Sequence, residues 1–172
     1  MREEFTIYCA TIPRMEGKPV RESASEYAEF ALPNDANALG TLLGGKVMHL
    51  VDLAGAMAAM RHARLAVVTA SVDEMVFHHP IRIGQLVLLK SSVNRVFRTS
   101  MEVGVKVFVE DLGTGELLHT SSAYLTFVAI DSDGKPVLVP PVIPETAEEN
   151  RRYQEAGRRR EYRLCGRRGR GA

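Results

Sequence analysis

The sequence predicts an α+β fold in which a curled antiparallel sheet wraps around one long central helix, with a second helix on the surface. Three observations predict it. Residues 44 to 64 form a proline-free stretch rich in alanine, leucine and methionine, a composition that favours helix. At about 100° per residue its apolar side chains lie nearly all round, as in a helix buried on most sides. After it the periodicity switches to two and holds through four long, β-branched segments. Antiparallel strands with one buried helix call for a sheet closed over that helix.

Each element can be justified in order. Phe5 to Ile12 reads as a short strand and Pro13 to Lys18 as a turn. Tyr27, Phe30 and Leu32 suggest a strand that stops at Pro33. The run from Pro33 to Gly40 is turn chemistry, since Asn, Asp and Gly tolerate left-handed and Asx geometry. In the helix, Lys46, Arg61 and Arg64 share a narrow stripe able to reach water, while Asp52 lies on the face of Ala56, Ala59 and Ala63. The strands that follow are Ala66 to Phe77, Gln85 to Val96, Met101 to Glu110 and Leu117 to Ile130, read as a four-stranded meander. Beyond Gly134 come Pro136, Pro140, Pro141 and Pro144, then a charged helix from about Ala147 to Arg160. This divides the chain into an N-terminal extension (1–20), the main domain (21–134) and a proline-rich segment with charged helix and basic tail (135–172).

The 172 residues suit a single domain, and 45% hydrophobic with 25% charged residues is ordinary for a globular protein. No apolar run is long enough to span a membrane, and the start lacks a signal-peptide layout, so a cytoplasmic protein is expected. Cys9 and Cys165 stand far apart without metal-ligand spacing, which argues against a disulfide framework or zinc site; Cys9 reads as a small hydrophobe. The net charge of +1 hides an asymmetry. Residues 158–172 hold seven arginines and one glutamate, leaving 15 basic against 20 acidic residues in the rest. The tail reads as solvated and disordered, and without interleaved aromatics no nucleic-acid partner is expected. Nucleophile-elbow, P-loop, dinucleotide and metal-helix motifs are absent.

Five features can carry chemistry. Asp52 is a carboxylate in an otherwise apolar helix, which needs a reason: a hydrogen-bonded structural role, or a general base or nucleophile. Gly44 and Gly45 precede the helix and present backbone N–H groups to an anion or developing oxyanion. Asp52 follows Gly44 by eight residues, about 12 Å along the axis. One chain cannot bring both to one atom, whereas a partner helix can. Asn37 can orient a water or a carbonyl, or simply shape its turn. His78 and His79 suggest metal at first sight, but strand neighbours point to opposite faces and no acid completes a site. Arg95, Arg98, Thr99 and Ser100 form a turn able to grip phosphates, or a solvated hairpin tip.

Pro33-Asn34-Asp35-Ala36-Asn37, Gly40, Gly44-Gly45 and the run Val47 to Gly55 together resemble the acyl-CoA thioesterase branch of the hotdog superfamily, which includes YciA-type enzymes and the cytosolic acyl-CoA hydrolase. The likeness continues at Val68 to Asp73, Arg98 to Val103, Thr126 to Ala129 and Pro144-Glu145-Thr146. It implies a hotdog fold, hydrolysis of acyl-CoA to a free acid and CoA, and no required cofactor. It also implies a catalytic pair, Asn37 and Asp52, drawn from two hotdog units. A one-unit chain must then form a homodimer, and a trimer of dimers is the expected assembly. The expected carbonyl site is the Gly44–Gly45 amides, with Met57 and Met60 along the acyl chain and Arg82, Arg95, Arg98, Thr99 and Ser100 toward the CoA phosphates. Rival readings are a hotdog hydratase, for which His49 and His62 are the candidate histidines, and a non-catalytic acyl-CoA sensor.

Overall fold

The computed structural model describes residues 15–73 and 75–168. The strand expected at Phe5 to Ile12 and the reading of Cys9 lie outside the described residues. The order is β1 (Lys18–Pro19), β2 (Ser25–Phe30), α1 (Gly44–Ala63), β3 (Ala66–Val72), β4 (Val76–Phe77), β5 (Leu86–Val96), β6 (Ser100–Glu110), β7 (Leu117–Ile130), β8 (Val142–Ile143) and α2 (Ala147–Arg168). The main sheet runs β2-β5-β6-β7-β3, antiparallel throughout, with β4 beside β7. α1 packs against β2, β3, β5, β6 and β7, which is the helix-in-sheet architecture of the hotdog fold.

Two details of the expected sheet are corrected. Only β5, β6 and β7 form a meander; β3 pairs with β7 at the far edge. The strands flanking α1 in sequence are thus the two edges, and the helix carries the chain from one to the other. The expected single strand Ala66 to Phe77 is two, since Val72 faces Leu125 while Val76 faces Ser122 farther along β7.

The core forms where α1 lays Val47, Leu50, Val51, Ala54 and Ala58 against Val87, Leu89, Val103, Val105, Leu125 and Phe127. Gly55 sets the approach, because a Cβ there would sit 2.9 Å from the Phe127 ring. α1 ends at Arg64, whose φ of 56° is left-handed and whose N–H reaches the Met60 carbonyl at 2.8 Å. The helix is not buried all round in one chain. Met48 (48%) and Met60 (43%) are exposed, as are Val68 and Val72 (45% each) on β3. Among the described residues, nothing covers this apolar helix face or pairs with the outer edge of β3.

The C-terminal region departs most from expectation. α2 continues to Arg168, and its arginines grip the outer face of this chain's own sheet. Glu102, fully buried on β6, takes two hydrogen bonds from Arg159 Nε at 3.2 Å each and one from Nη2 at 2.6 Å. Arg163 pairs with Asp73, and Arg160 stacks 4.1 Å over Phe97. A solvated tail is thus wrong for this stretch: a buried carboxylate needs a partner, and these guanidinium groups supply it. The parallel pair β1–β8 sets residues 18–19 beside residues 142–143, near the α1 C-terminus. There Lys18 Nζ donates to the His62 carbonyl and His62 Nε2 donates to the Pro140 carbonyl, both at 2.8 Å. Among the described residues no helix is long and apolar enough to cross a membrane.

Candidate active site

The loop ahead of α1 is built around Asn37. Its Oδ1 accepts the amides of Leu39 (2.9 Å) and Thr41 (3.2 Å), and its Nδ2 donates to Thr41 Oγ1 at 2.8 Å. These bonds hold the carboxamide still and leave one N–H of Nδ2 to spare. The loop is tied to the helix on both sides of its short 3-10 turn, Pro33–Asp35. The Leu43 amide donates to the Asp35 carbonyl at 2.9 Å. From the first turn of α1, Lys46 reaches Glu29 at 2.9 Å and Asp35 at 3.4 Å. A cation there opposes the helix dipole, so the two carboxylates are what make it tolerable.

α1 begins without a side-chain cap, Leu43 standing at the N-cap. Its carbonyl serves Lys46 and Val47, so the amides of Gly44 and Gly45 have no acceptor among the described residues. Nothing within 4 Å would meet a Cβ on Gly45, so a ligand can approach that backbone directly. Beside it is a cleft of about 260 Å³ lined by Leu42, Gly44, Val47, Phe77, His78 and Ile81. Of the expected site residues, Gly44 lines this cleft, while Asn37 stands in the loop just ahead of the helix.

Asp52 lies farther along α1. It is partly buried, and its Oδ1 accepts a 2.6 Å hydrogen bond from Thr69 Oγ1 on β3. Thr69 sits at a β-bulge, where the β3–β7 register shifts before Ser71. No hydrogen bond joins Asn37 to Asp52 among the described residues. Thr69 was not singled out in the sequence, because threonine on a strand is the commonest of residues there. Its bulge leaves no mark in the sequence.

The remaining expected site residues scatter. The backbone of Arg82 bridges to Thr41, so Arg82 stands beside the Asn37 loop with an exposed side chain. Arg95 lies 4.4 Å from the Tyr153 ring and donates to the Tyr153 carbonyl at 3.4 Å, bracing α2. Ser100 Oγ takes a 3.3 Å bond from Arg160, and Arg98 and Thr99 use their carbonyls to hold Val139 and Ala129. Met57 is half-buried and Met60 exposed, and neither lines the cleft at the helix N-terminus. His62 is fully buried; its Nε2 carries the proton given to Pro140, its Nδ1 has no partner, and burial pushes its pKa down. That geometry does not suit an acid–base histidine facing substrate. The His78 ring lies 5.8 Å from His119, and among the described residues no three acid, His or Cys side chains converge to hold a metal.

Comparison with known proteins bears on this arrangement. A model of the thioesterase superfamily matches residues 39–116. The uncharacterized acyl-CoA thioester hydrolase YkhA of Bacillus subtilis is 46% identical over 129 residues, 75% of this chain and 75% of its own. The chain belongs to the acyl-CoA thioesterase branch of the hotdog superfamily. Within that branch, a hexameric acyl-CoA thioesterase in its apo form superposes with a TM-score of 0.83 at 43% identity, over 87% of this chain and 96% of its own. The acyl-CoA hydrolase of Staphylococcus aureus, solved with butyryl-CoA, CoA and CoA disulfide, gives 0.82 at 37% identity, over 87% and 92%. Further structures of that hydrolase replace an asparagine, an aspartate and a threonine singly by alanine. There the aspartate follows the asparagine by 15 positions and the threonine follows the aspartate by 17. Asn37, Asp52 and Thr69 of this thioesterase-family chain stand at the same intervals.

Proposed function

We propose that this protein hydrolyses acyl-CoA thioesters to a carboxylic acid and CoA, at a site completed by two copies of the chain. The observation that carries the reading is the division of the polar machinery: unpaired donors at the start of α1, and an oriented carboxylate two turns along it. An antiparallel partner across the exposed α1 face and the free edge of β3 would bring the two halves together. Similar thioesterases are hexameric, which supports self-association; the form proposed here is a trimer of dimers.

In this mechanism the thioester carbonyl binds at the Gly45 amide, with Gly44 and the spare Asn37 N–H beside it. Asp52 of the partner subunit takes a proton from water, and the hydroxide adds to the carbonyl carbon. Thr69 holds one carboxylate oxygen, so the other is aimed at the water. The tetrahedral oxyanion is stabilised by the helix amides, already aimed at the place where the charge develops. Collapse breaks the C–S bond, and the CoA thiolate recovers the proton. Attack by Asp52 itself, through an anhydride, is the variant of the same scheme. The apolar cleft suits the acyl or pantetheine chain, with Met57 and Met60 farther along the helix. Arg82, beside the loop, is the proposed contact for the CoA phosphates; Arg98, Thr99 and Ser100 are a second patch for them. The scheme uses only the chain's own side chains and amides, and its setting is the cytoplasm, where a similar rat acyl-CoA hydrolase is placed by its name.

The test is release of CoA thiol from acyl-CoAs of graded chain length. The wild type is expected to turn over, and Asp52→Ala to lose roughly a hundredfold or more, the scale of a general base. Wild-type rates in Asp52→Ala would refute the assignment. Tight binding without turnover in the wild type would replace hydrolysis with an acyl-CoA sensor.

A further inference from the structure

A second cavity lies away from the proposed catalytic groups. It is a cleft of about 770 Å³ on the outer face of the sheet, between the β2 edge and the start of α2, a volume usual for small-molecule sites. Five cations line it: Arg61, Lys90, Lys106, Arg151 and Arg152. They come from a body that is net acidic outside its last 15 residues. The sheet register sharpens the point. Glu26, Lys90, Lys106 and Ser122 are successive cross-strand partners on β2, β5, β6 and β7. Two lysines directly opposite on neighbouring strands repel each other, and such a pair destabilises a sheet unless an anion lies between them.

The described residues do not supply enough anions. Lys90 reaches Glu26 at 3.4 Å, while Lys106 makes no ion pair among the described residues. Arg151 is held at 2.6 Å by both Glu148 and Glu155, and Arg152 has only a 3.8 Å contact to the same Glu148. Arg61 donates to the Ala24 carbonyl, which carries no full charge. Three carboxylates against five cations leave the cleft positive. On the next rung Ser92 faces Gly104 and Gly104 faces Tyr124, and the Asn94 carboxamide fills the space over Gly104, 2.9 Å from where a Cβ would sit.

We propose that this outer cleft is a binding site for a compact ligand carrying two or more phosphates. Separate lysine, arginine and hydroxyl donors on three sides match a polyphosphate better than a single carboxylate. Two sources share that chemistry: a free diphosphate or nucleoside diphosphate, and the phosphates of CoA itself.

The experiment is calorimetric titration of the intact protein with inorganic pyrophosphate, ADP and CoA, comparing wild type with the double variant Lys90→Met/Lys106→Met. Pyrophosphate is expected to bind once per chain, to weaken as salt rises, and to lose about tenfold or more in the variant. Turnover at saturating acyl-CoA should persist in that variant, because neither lysine touches a proposed catalytic group and loss of a CoA contact would raise KM alone; this keeps failure here separate from failure of the catalytic reading. Displacement of pyrophosphate by CoA identifies the CoA phosphates as occupant; displacement by ADP alone identifies a free diphosphate. Undetectable pyrophosphate binding, or equal binding in the variant, overturns the site. A variant that keeps pyrophosphate binding but changes subunit number overturns it in favour of a contact between copies.

Discussion

At the scale of single residues, the structure separates what orients from what reacts. Asn37 spends its carbonyl oxygen on the Leu39 and Thr41 amides, so alanine there removes a loop brace along with a donor. Asn37→Asp keeps the acceptor and loses the N–H. It should retain the melting temperature within a few degrees while CoA release falls about a hundredfold, the scale of one lost oxyanion donor. Thr69→Val removes one hydrogen bond to a carboxylate, and kcat should fall roughly tenfold with KM little changed. His62 makes a separate prediction. Burial lowers its pKa below 6.5, so the unfolded chain binds a proton that the native state refuses. Stability should be independent of this group above pH 6.5 and decline as pH falls below it. Urea midpoints across pH 5 to 8 check the sign, and His62→Leu should flatten the trend. Asp52 stands out in the sequence as a carboxylate on an apolar helix, whereas Asn37 reads by itself as an ordinary turn asparagine and is paired with Asp52 only by the family resemblance. Thr69 was not legible there, since nothing local distinguishes it from Thr126 or any other strand threonine.

At the scale of elements, periodicity located α1 and the long strands, because burial of a face leaves its mark on local sequence. Sheet order did not follow. Which edge β3 joins depends on where α1 delivers the chain, and that is a long-range property. The docking of α2 was also invisible: Arg159 and Arg163 read as surface charge until Glu102 and Asp73 face them. Burial pushes the Asp73 carboxyl up, while Arg163 opposes the shift. The Glu102–Arg159 pair carries a prediction. Arg159→Ala leaves Glu102 buried with Asn94 at 3.3 Å and Arg163 at 3.7 Å, and should destabilise by about 3 kcal/mol. Adding Glu102→Gln should recover much of that in a denaturation series. No recovery would mean that α2 is held mainly by the stacking of Arg95 and Arg160 on Phe97 and Tyr153.

At the scale of the whole molecule, the proposed site takes one half from each of two chains. Met48 and Met60 on α1 and Val68 and Val72 on β3 are exposed apolar side chains on the two elements that carry Asp52 and Thr69. Helix spacing already required the split, since eight residues of helix separate the glycine amide from the carboxylate. Mixing two inactive chains measures the split directly. Asn37→Asp and Asp52→Ala subunits are unfolded together, refolded and assayed for CoA release. In a mixed dimer, one of its two sites receives both native residues, so the mixture should regain about a quarter of the wild-type rate. A mixture no faster than the two variants assayed apart would contradict a catalytic site shared between chains.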